Sequence, residues 1–193
     1  LAPPDLGVIA PNRPGYGGPM WGEGARAPVL SFDEQVAAFR PLFDKDDGKK
    51  TIVMGVSYGG ALALKCALDF PHRVAGVVTA AALVTEPREY VRHAVKLAAV
   101  GGVRHALPNY LHNARAEVAA RRGQIGDVFG RLKELRAPVT IMHGDLDNLV
   151  PFSDALTLKN YFADDADVVV ERVGGGSHYL ELQLPQRVYR AIR

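Results

Sequence analysis

Short runs of apolar, β-branched residues alternate along this chain with longer stretches whose apolar positions recur every three or four residues. The short runs are Leu6–Ala10, Thr51–Val56, Val74–Ala82, Pro138–His143 and Val168–Val173, each bounded by Pro, Gly or Asp, and each predicts a buried strand. Ser31 opens the first long stretch as an N-cap, with Glu34 three residues on to complete a capping box. Phe32, Val36, Phe39, Leu42 and Phe43 then share one face to about Asp44. Further helices are expected over Gly60–Leu68, over Ser153–Phe162 behind Pro151, and over Tyr179–Ile192, the last interrupted or begun afresh at Pro185. Strands that are continuously apolar are covered on both faces. The pattern therefore predicts an α/β fold with a mostly parallel sheet and helices on both sides.

From about Thr85 to Leu135 the pattern becomes helical without a convincing strand, broken at Gly101-Gly102, Pro108, Gly123 and Gly126. Such an excursion between two buried strands predicts a helical cap, residues 85–135, inserted into a core made of residues 1–84 and 136–193. Val103, Leu107, Tyr110 and Leu111 are candidate pocket residues, with packing against the sheet as their other use.

Composition narrows the function more than the fold. With 193 residues, 48% of them apolar, the chain can bury a substantial core. A net charge of only +2, with no basic block interleaved with aromatics, gives nucleic acid or an anionic membrane nothing to bind. Arg121-Arg122 and the basic run from Arg131 to Arg136 read as solvated helix faces. No apolar run approaches the roughly 20 residues of a membrane span and no signal-peptide pattern is seen, so a cytoplasmic protein is expected. The chain opens at Leu1 without an initiator Met, which suggests that something once lay upstream. Cys66, the single cysteine, falls on a helix position facing the core and is expected to be an inert thiol. His93, His105 and His112 lack a metal-binding spacing, and Gly15, Gly17 and Gly18 do not form a dinucleotide fingerprint. No metal or cofactor is expected. His72 reads as a surface turn residue and His143 as a strand-end packing or loop-orienting one.

The chemistry concentrates in Thr51–Leu64, TIVMGVSYGGALAL: a strand, a sharp turn at Ser57 and a helix. A serine in such a strained turn needs neighbours without bulk, a need that Gly55, Gly59 and Gly60 are expected to meet. Its hydroxyl then stands at the positive end of the helix. Two later loops also follow strands. One contains Asp145 and Asp147; the other, Gly174–His178, contains a histidine. A serine hydroxyl is a poor nucleophile until a base removes its proton, and an imidazole oriented by a carboxylate can do that.

The order Ser, Asp, His, the Gly-x-Ser-x-Gly turn, the segment Ile9–Gly17 (IAPNRPGYG), the run His143–Pro151 (HGDLDNLVP) and Gly176-Ser177-His178 together resemble the α/β-hydrolase family over nearly the whole chain. Asn12 stands where the family more usually has Asp. The resemblance implies Ser57 as nucleophile, His178 as general base and acid, and Asp147 as the orienting acid; only family spacing favours Asp147 over Asp145. It also implies the backbone amide of Tyr58 as an oxyanion donor, no cofactor, and a small-molecule acyl substrate cleaved through an acyl-enzyme. Amide, thioester, carbon–carbon and perhydrolysis chemistries share these residues. A non-catalytic ligand-binding module of the same fold is the alternative from another class, and a Rossmann-type nucleotide binder is a weaker one. The family's third strand and the oxyanion donor that follows it have no counterpart before Leu6. An upstream segment or separate chain is therefore expected to complete the sheet and the oxyanion hole.

Overall fold

Four of the five apolar runs form strands: β1 (Thr51–Val56), β2 (Val74–Ala80), β3 (Val139–Gly144) and β4 (Val168–Val173). The computed structural model describes residues 7–16, 31–44, 48–85, 93, 96–97 and 108–192, without the side chain of residue 122. All neighbouring pairs are parallel, in the order β1-β2-β3-β4. Parallel neighbours require crossover connections. These contain α2 (Tyr58–Asp69), then α3 (Asn109–Gly130) with a 3-10 turn at Leu132–Glu134, then α4 (Ser153–Lys159). In chain order, α1 (Phe32–Phe43) precedes the sheet, and α5 (Leu180–Gln183) and α6 (Pro185–Ala191) close it.

Alternation along the strands divides the core between the two faces of the sheet. Val77 and Ile141 pack with Phe32 and Val36 of α1, Leu64 of α2, Val128 and Phe129 of α3 and Leu158 of α4. Val78 and Met142, each one residue on, pack with Val173, Leu180 and Val188 against the closing helices. Helices thus cover both faces, as the apolar runs required. Ser31 caps α1 with the expected reciprocal box, and the last helical stretch is divided at Leu184, just before Pro185.

Three expectations are corrected. Residues 7–10 form no strand, and Val8 and Ile9 are 56% and 62% exposed. Among the described residues these four pair with no strand, and β1 is the edge of the described sheet. Gly123 and Gly126 do not break the helical excursion; both lie within the 22 residues of α3, where each costs only about 1 kcal/mol relative to Ala. Arg121 is not on a solvated face: it is buried, and its guanidinium donates to the Thr85 carbonyl at 2.7 Å. Of the candidate pocket residues, Tyr110 and Leu111 are exposed on α3. Val103 and Leu107, the breaks at Gly101-Gly102, and His105 lie outside the described residues.

Candidate active site

Ser57 lies between β1 and α2 with φ 53° and ψ −118°, a backbone conformation that strains any residue with a side chain. Its amide donates to Ala80 O at 2.9 Å, and its carbonyl accepts from the amides of Gly60 at 3.0 Å and Leu83 at 3.2 Å. These bonds fix the turn from both sides. Glycine permits it: a Cβ at Gly55 would fall onto the Gly59 carbonyl, and one at Gly60 would stand 2.7 Å from Ala82 Cβ. Gly59, expected to supply room too, faces open space among the described residues, so the requirement rests on the other two. Because α2 starts at Tyr58, that amide is among the first four of the helix, which have no acceptor within it.

At the ends of β3 and β4 the geometry is set by hydrogen bonds. Asp147 is buried. Its Oδ1 accepts from the amides of Leu149 at 2.8 Å and Val150 at 2.9 Å, and its Oδ2 accepts from His178 Nδ1 at 2.8 Å. Burial alone would raise its pKa. The hydrogen bonds from His143, His178 and the Val150 amide outweigh that and hold the carboxyl well below the usual carboxylate range. An ionised carboxylate can only accept, so His178 Nδ1 must carry a proton, and in the neutral ring Nε2 is the nitrogen with the free lone pair. The two loops meet because Gly144 and Gly176 touch; a Cβ on Gly144 would fall onto the Gly176 carbonyl.

The rival carboxylate is engaged elsewhere. Asp145 Oδ1 accepts from the Gly175 amide at 2.8 Å and Oδ2 from Arg172 Nε at 3.3 Å, so it braces the β4 turn. Ser57, Asp147 and His178 follow the carboxyl ends of β1, β3 and β4, on one edge of the sheet. A backbone series Ser57 N to Ala80 O, Ala81 N to Met142 O and Asp145 N to Val173 O crosses that edge. Asp147 and His178 are brought into direct contact. The Ser57 hydroxyl is joined to neither by a hydrogen bond among the described residues.

Sequence reasoning missed a polar network beside the elbow. The Arg13 guanidinium lies over the rings of Tyr16, at 4.3 Å, and Tyr58, at 4.8 Å, and pairs with Glu117 of α3. Glu117 also accepts from the Tyr16 hydroxyl at 2.6 Å, and the Tyr58 hydroxyl accepts from Gln35 at 3.1 Å. Burial, then the nearby Glu117 charge, pushes the Tyr58 phenol up to about 12. The signal was present as spacing: Asn109, Asn113, Glu117 and Arg121 recur every four residues and all are buried. Cys66 is buried, with its thiol pushed up to about 12 by burial first and by the Asp69 charge second. Among the described residues no group of three or more His, Cys, Asp or Glu side chains could hold a metal ion, and no helix is long and apolar enough to cross a membrane.

A strained serine between strand and helix and a buried Asp–His pair thus lie on the same edge of a doubly covered parallel sheet. The chain belongs to the alpha/beta hydrolase family, whose model matches residues 1–191. It is 30% identical over 125 residues to Lipase LipV of Mycobacterium tuberculosis, covering 65% of this chain and 44% of the relative. It is 28% identical over 177 residues to the poly(3-hydroxyalkanoate) depolymerase of Ectopseudomonas oleovorans, covering 77% and 61% respectively. The match thus spans about half the length of these curated relatives. Among solved structures, the meta-cleavage product hydrolase of Pseudomonas fluorescens superposes with a TM-score of 0.63 at 20% identity, over 94% of this chain and 76% of that one. At that identity the likeness shows the fold alone.

Proposed function

We propose that this protein is an esterase-type serine hydrolase. Ser57 Oγ attacks the acyl carbon of a small carboxylic ester while His178 Nε2 takes the hydroxyl proton. The Tyr58 amide donates to the oxyanion. Collapse of the tetrahedral intermediate breaks the bond to the leaving oxygen, which receives the proton from His178, and leaves an acyl-enzyme that water cleaves by the same steps in reverse. Asp147 holds the imidazole in the required tautomer and stabilises the imidazolium. The observation that carries this reading is the 2.8 Å hydrogen bond from His178 to a buried, ionised Asp147 on the sheet edge where Ser57 turns.

The other serines have different surroundings. Ser31 caps α1, Ser153 is the first residue of α4, and Ser177 accepts from the Tyr179 amide at 3.4 Å. Only Ser57 carries a positive φ. The relatives named as a lipase and a poly(3-hydroxyalkanoate) depolymerase support an ester as substrate.

Residues 85–135 act in this reading as the cap that sets specificity, and the protein works in the cytoplasm. The edge position of β1 in the described sheet and the exposed Val8 and Ile9 support a further strand beside β1 from an upstream segment or separate chain, which also brings the second oxyanion donor. Ester hydrolysis by a monomer of only the 20.8 kDa chain would refute that part. A fluorophosphonate probe tests the whole reading. Labelling of Ser57 that is lost in Ser57→Ala and impaired in His178→Ala is expected; no labelling of the folded protein would point to a ligand-binding module instead.

A further inference from the structure

His143 is fully buried at the end of β3, four residues before Asp147. The catalytic scheme above does not use it. Its Nε2 lies 3.2 Å from the Val150 carbonyl and 3.3 Å from Asp147 Oδ2, the oxygen that also receives His178 Nδ1. Both neighbours of Nε2 are pure acceptors, so that nitrogen carries the ring proton. Nδ1 is buried without a hydrogen-bond partner and therefore stays bare, since a second N–H there would be an unpaired donor in a closed site. The Phe152 ring, edge-on at 6.0 Å, closes one side of the imidazole.

We infer that His143 is a positioning residue: a ring N–H placed between the Val150 carbonyl and Asp147 Oδ2, beside His178 on the same oxygen, that limits how strongly the carboxylate holds the catalytic base. The inference rests on the serine-hydrolase reading of this site and deepens it. Oδ1 is fixed by two amides, which set the plane of the carboxylate. Oδ2 is divided between two imidazoles with different tasks. The bond to His178 must orient the ring and stabilise its cation, yet leave Nε2 basic only to the degree that it can return its proton to the leaving group. A second donor on the same oxygen draws off part of its charge and tempers that grip.

Other titratable groups around the pair are already engaged. Asp145 and Arg172 pair with each other, Glu171 pairs with Arg187 on α6, and Asp154 of α4 accepts from the amides of Val84 and Thr85. Of the rest, Tyr179 lies edge-on to the His178 ring at 5.3 Å, and Glu181 of α5 has a buried Oε2 without a hydrogen-bond partner among the described residues.

The test is the pH dependence of Ser57 labelling by the fluorophosphonate probe. Without the second donor Asp147 binds the His178 cation more tightly, so the base stays protonated to higher pH. In His143→Phe the acid limb of the profile should move up by about half a pH unit or more, with the plateau rate down about tenfold. His143→Gln, whose side-chain amide can donate from nearly the same place, should restore the wild-type limb. A folded His143→Phe with an unmoved limb overturns the inference, as does a His143→Gln profile indistinguishable from that of His143→Phe. If neither variant folds, histidine-selective carbon and nitrogen NMR of the wild-type protein decides. One ring carrying its proton on Nε2 is expected, and a proton on Nδ1 of that ring instead overturns the inference. Failure of the wild-type protein to label is a different result, which refutes the catalytic reading and not the tautomer.

Discussion

The serine side and the Asp–His side of this candidate site are held in place by opposite means. At Ser57 the chain is forced into an unfavourable backbone conformation, and what makes it possible is the absence of atoms at Gly55 and Gly60. At Asp147 and His178 the backbone is ordinary, and what fixes the groups is the presence of donors on both carboxylate oxygens. One side stores strain against sterics; the other satisfies buried charge with hydrogen bonds. The first should therefore be sensitive to added volume and indifferent to pH, and the second should behave the other way round.

The largest expected effect is on chemistry. Ser57→Ala should lower ester turnover by about 10⁴-fold or more, and Asp147→Asn by about 10³- to 10⁴-fold, measured with a short-chain nitrophenyl ester. Stability should separate the two sides. Ser57→Gly relieves the strained φ, so its thermal midpoint should rise, corresponding to a gain of about 1 kcal/mol, although the variant is inactive. A lower midpoint would mean that the strain is not where the backbone angles put it.

Next in size is a pair of glycine substitutions. Gly55→Ala should cost more than about 3 kcal/mol in denaturant unfolding because its Cβ has nowhere to go. Gly59→Ala, two residues past the serine on α2, should be neutral or stabilise by up to about 1 kcal/mol. Equal losses at both positions would erase the distinction drawn at the elbow.

The pH experiment probes the other side. Asp147 has its pKa lowered on folding, so its contribution to stability is fully present above the ordinary carboxylate value of about 4 and is lost as pH falls toward the lowered one. Unfolding free energy should decline on acidification below about pH 4, and Asp147→Asn should flatten part of that decline. An unchanged slope in the variant would remove Asp147 as its source. Smallest is Asp145→Asn, which loosens the brace to Arg172 and the Gly175 amide. It should change turnover by less than about tenfold, because the His178 bond is untouched.

The elements were legible where a buried surface leaves a period. All four strands, the capping box of α1 and the restart at Pro185 follow from apolar spacing and cap chemistry, and so does the elbow. Choosing Asp147 over Asp145 as the partner of His178 was not legible from chemistry, because two acids two residues apart in a loop look alike until the backbone turns. The strand expected at Leu6–Ala10 is not seen over residues 7–10, because an apolar run says only that a segment could pair, and among the described residues it has no strand neighbour. The polar stripe of α3 was overlooked because inward-facing positions were sought among apolar residues, while Glu117 and Arg121 are buried by pairing with Arg13 and the Thr85 carbonyl. His143 reads in the sequence as a strand-end packing or loop-orienting residue, and its hydrogen bond to the Val150 carbonyl is of the second kind; its distance from Asp147 has no signature in the sequence.

The contact between Gly144 and Gly176 bears on how mutational screens of this protein should be interpreted. A side chain at Gly144 would push the histidine loop off the carboxylate loop without altering any residue assigned to the reaction. A selection scored only by ester cleavage would rank Gly144 beside Ser57 and His178. Scoring the same library for abundance as well would separate the positions that do chemistry from those that only permit two loops to cross.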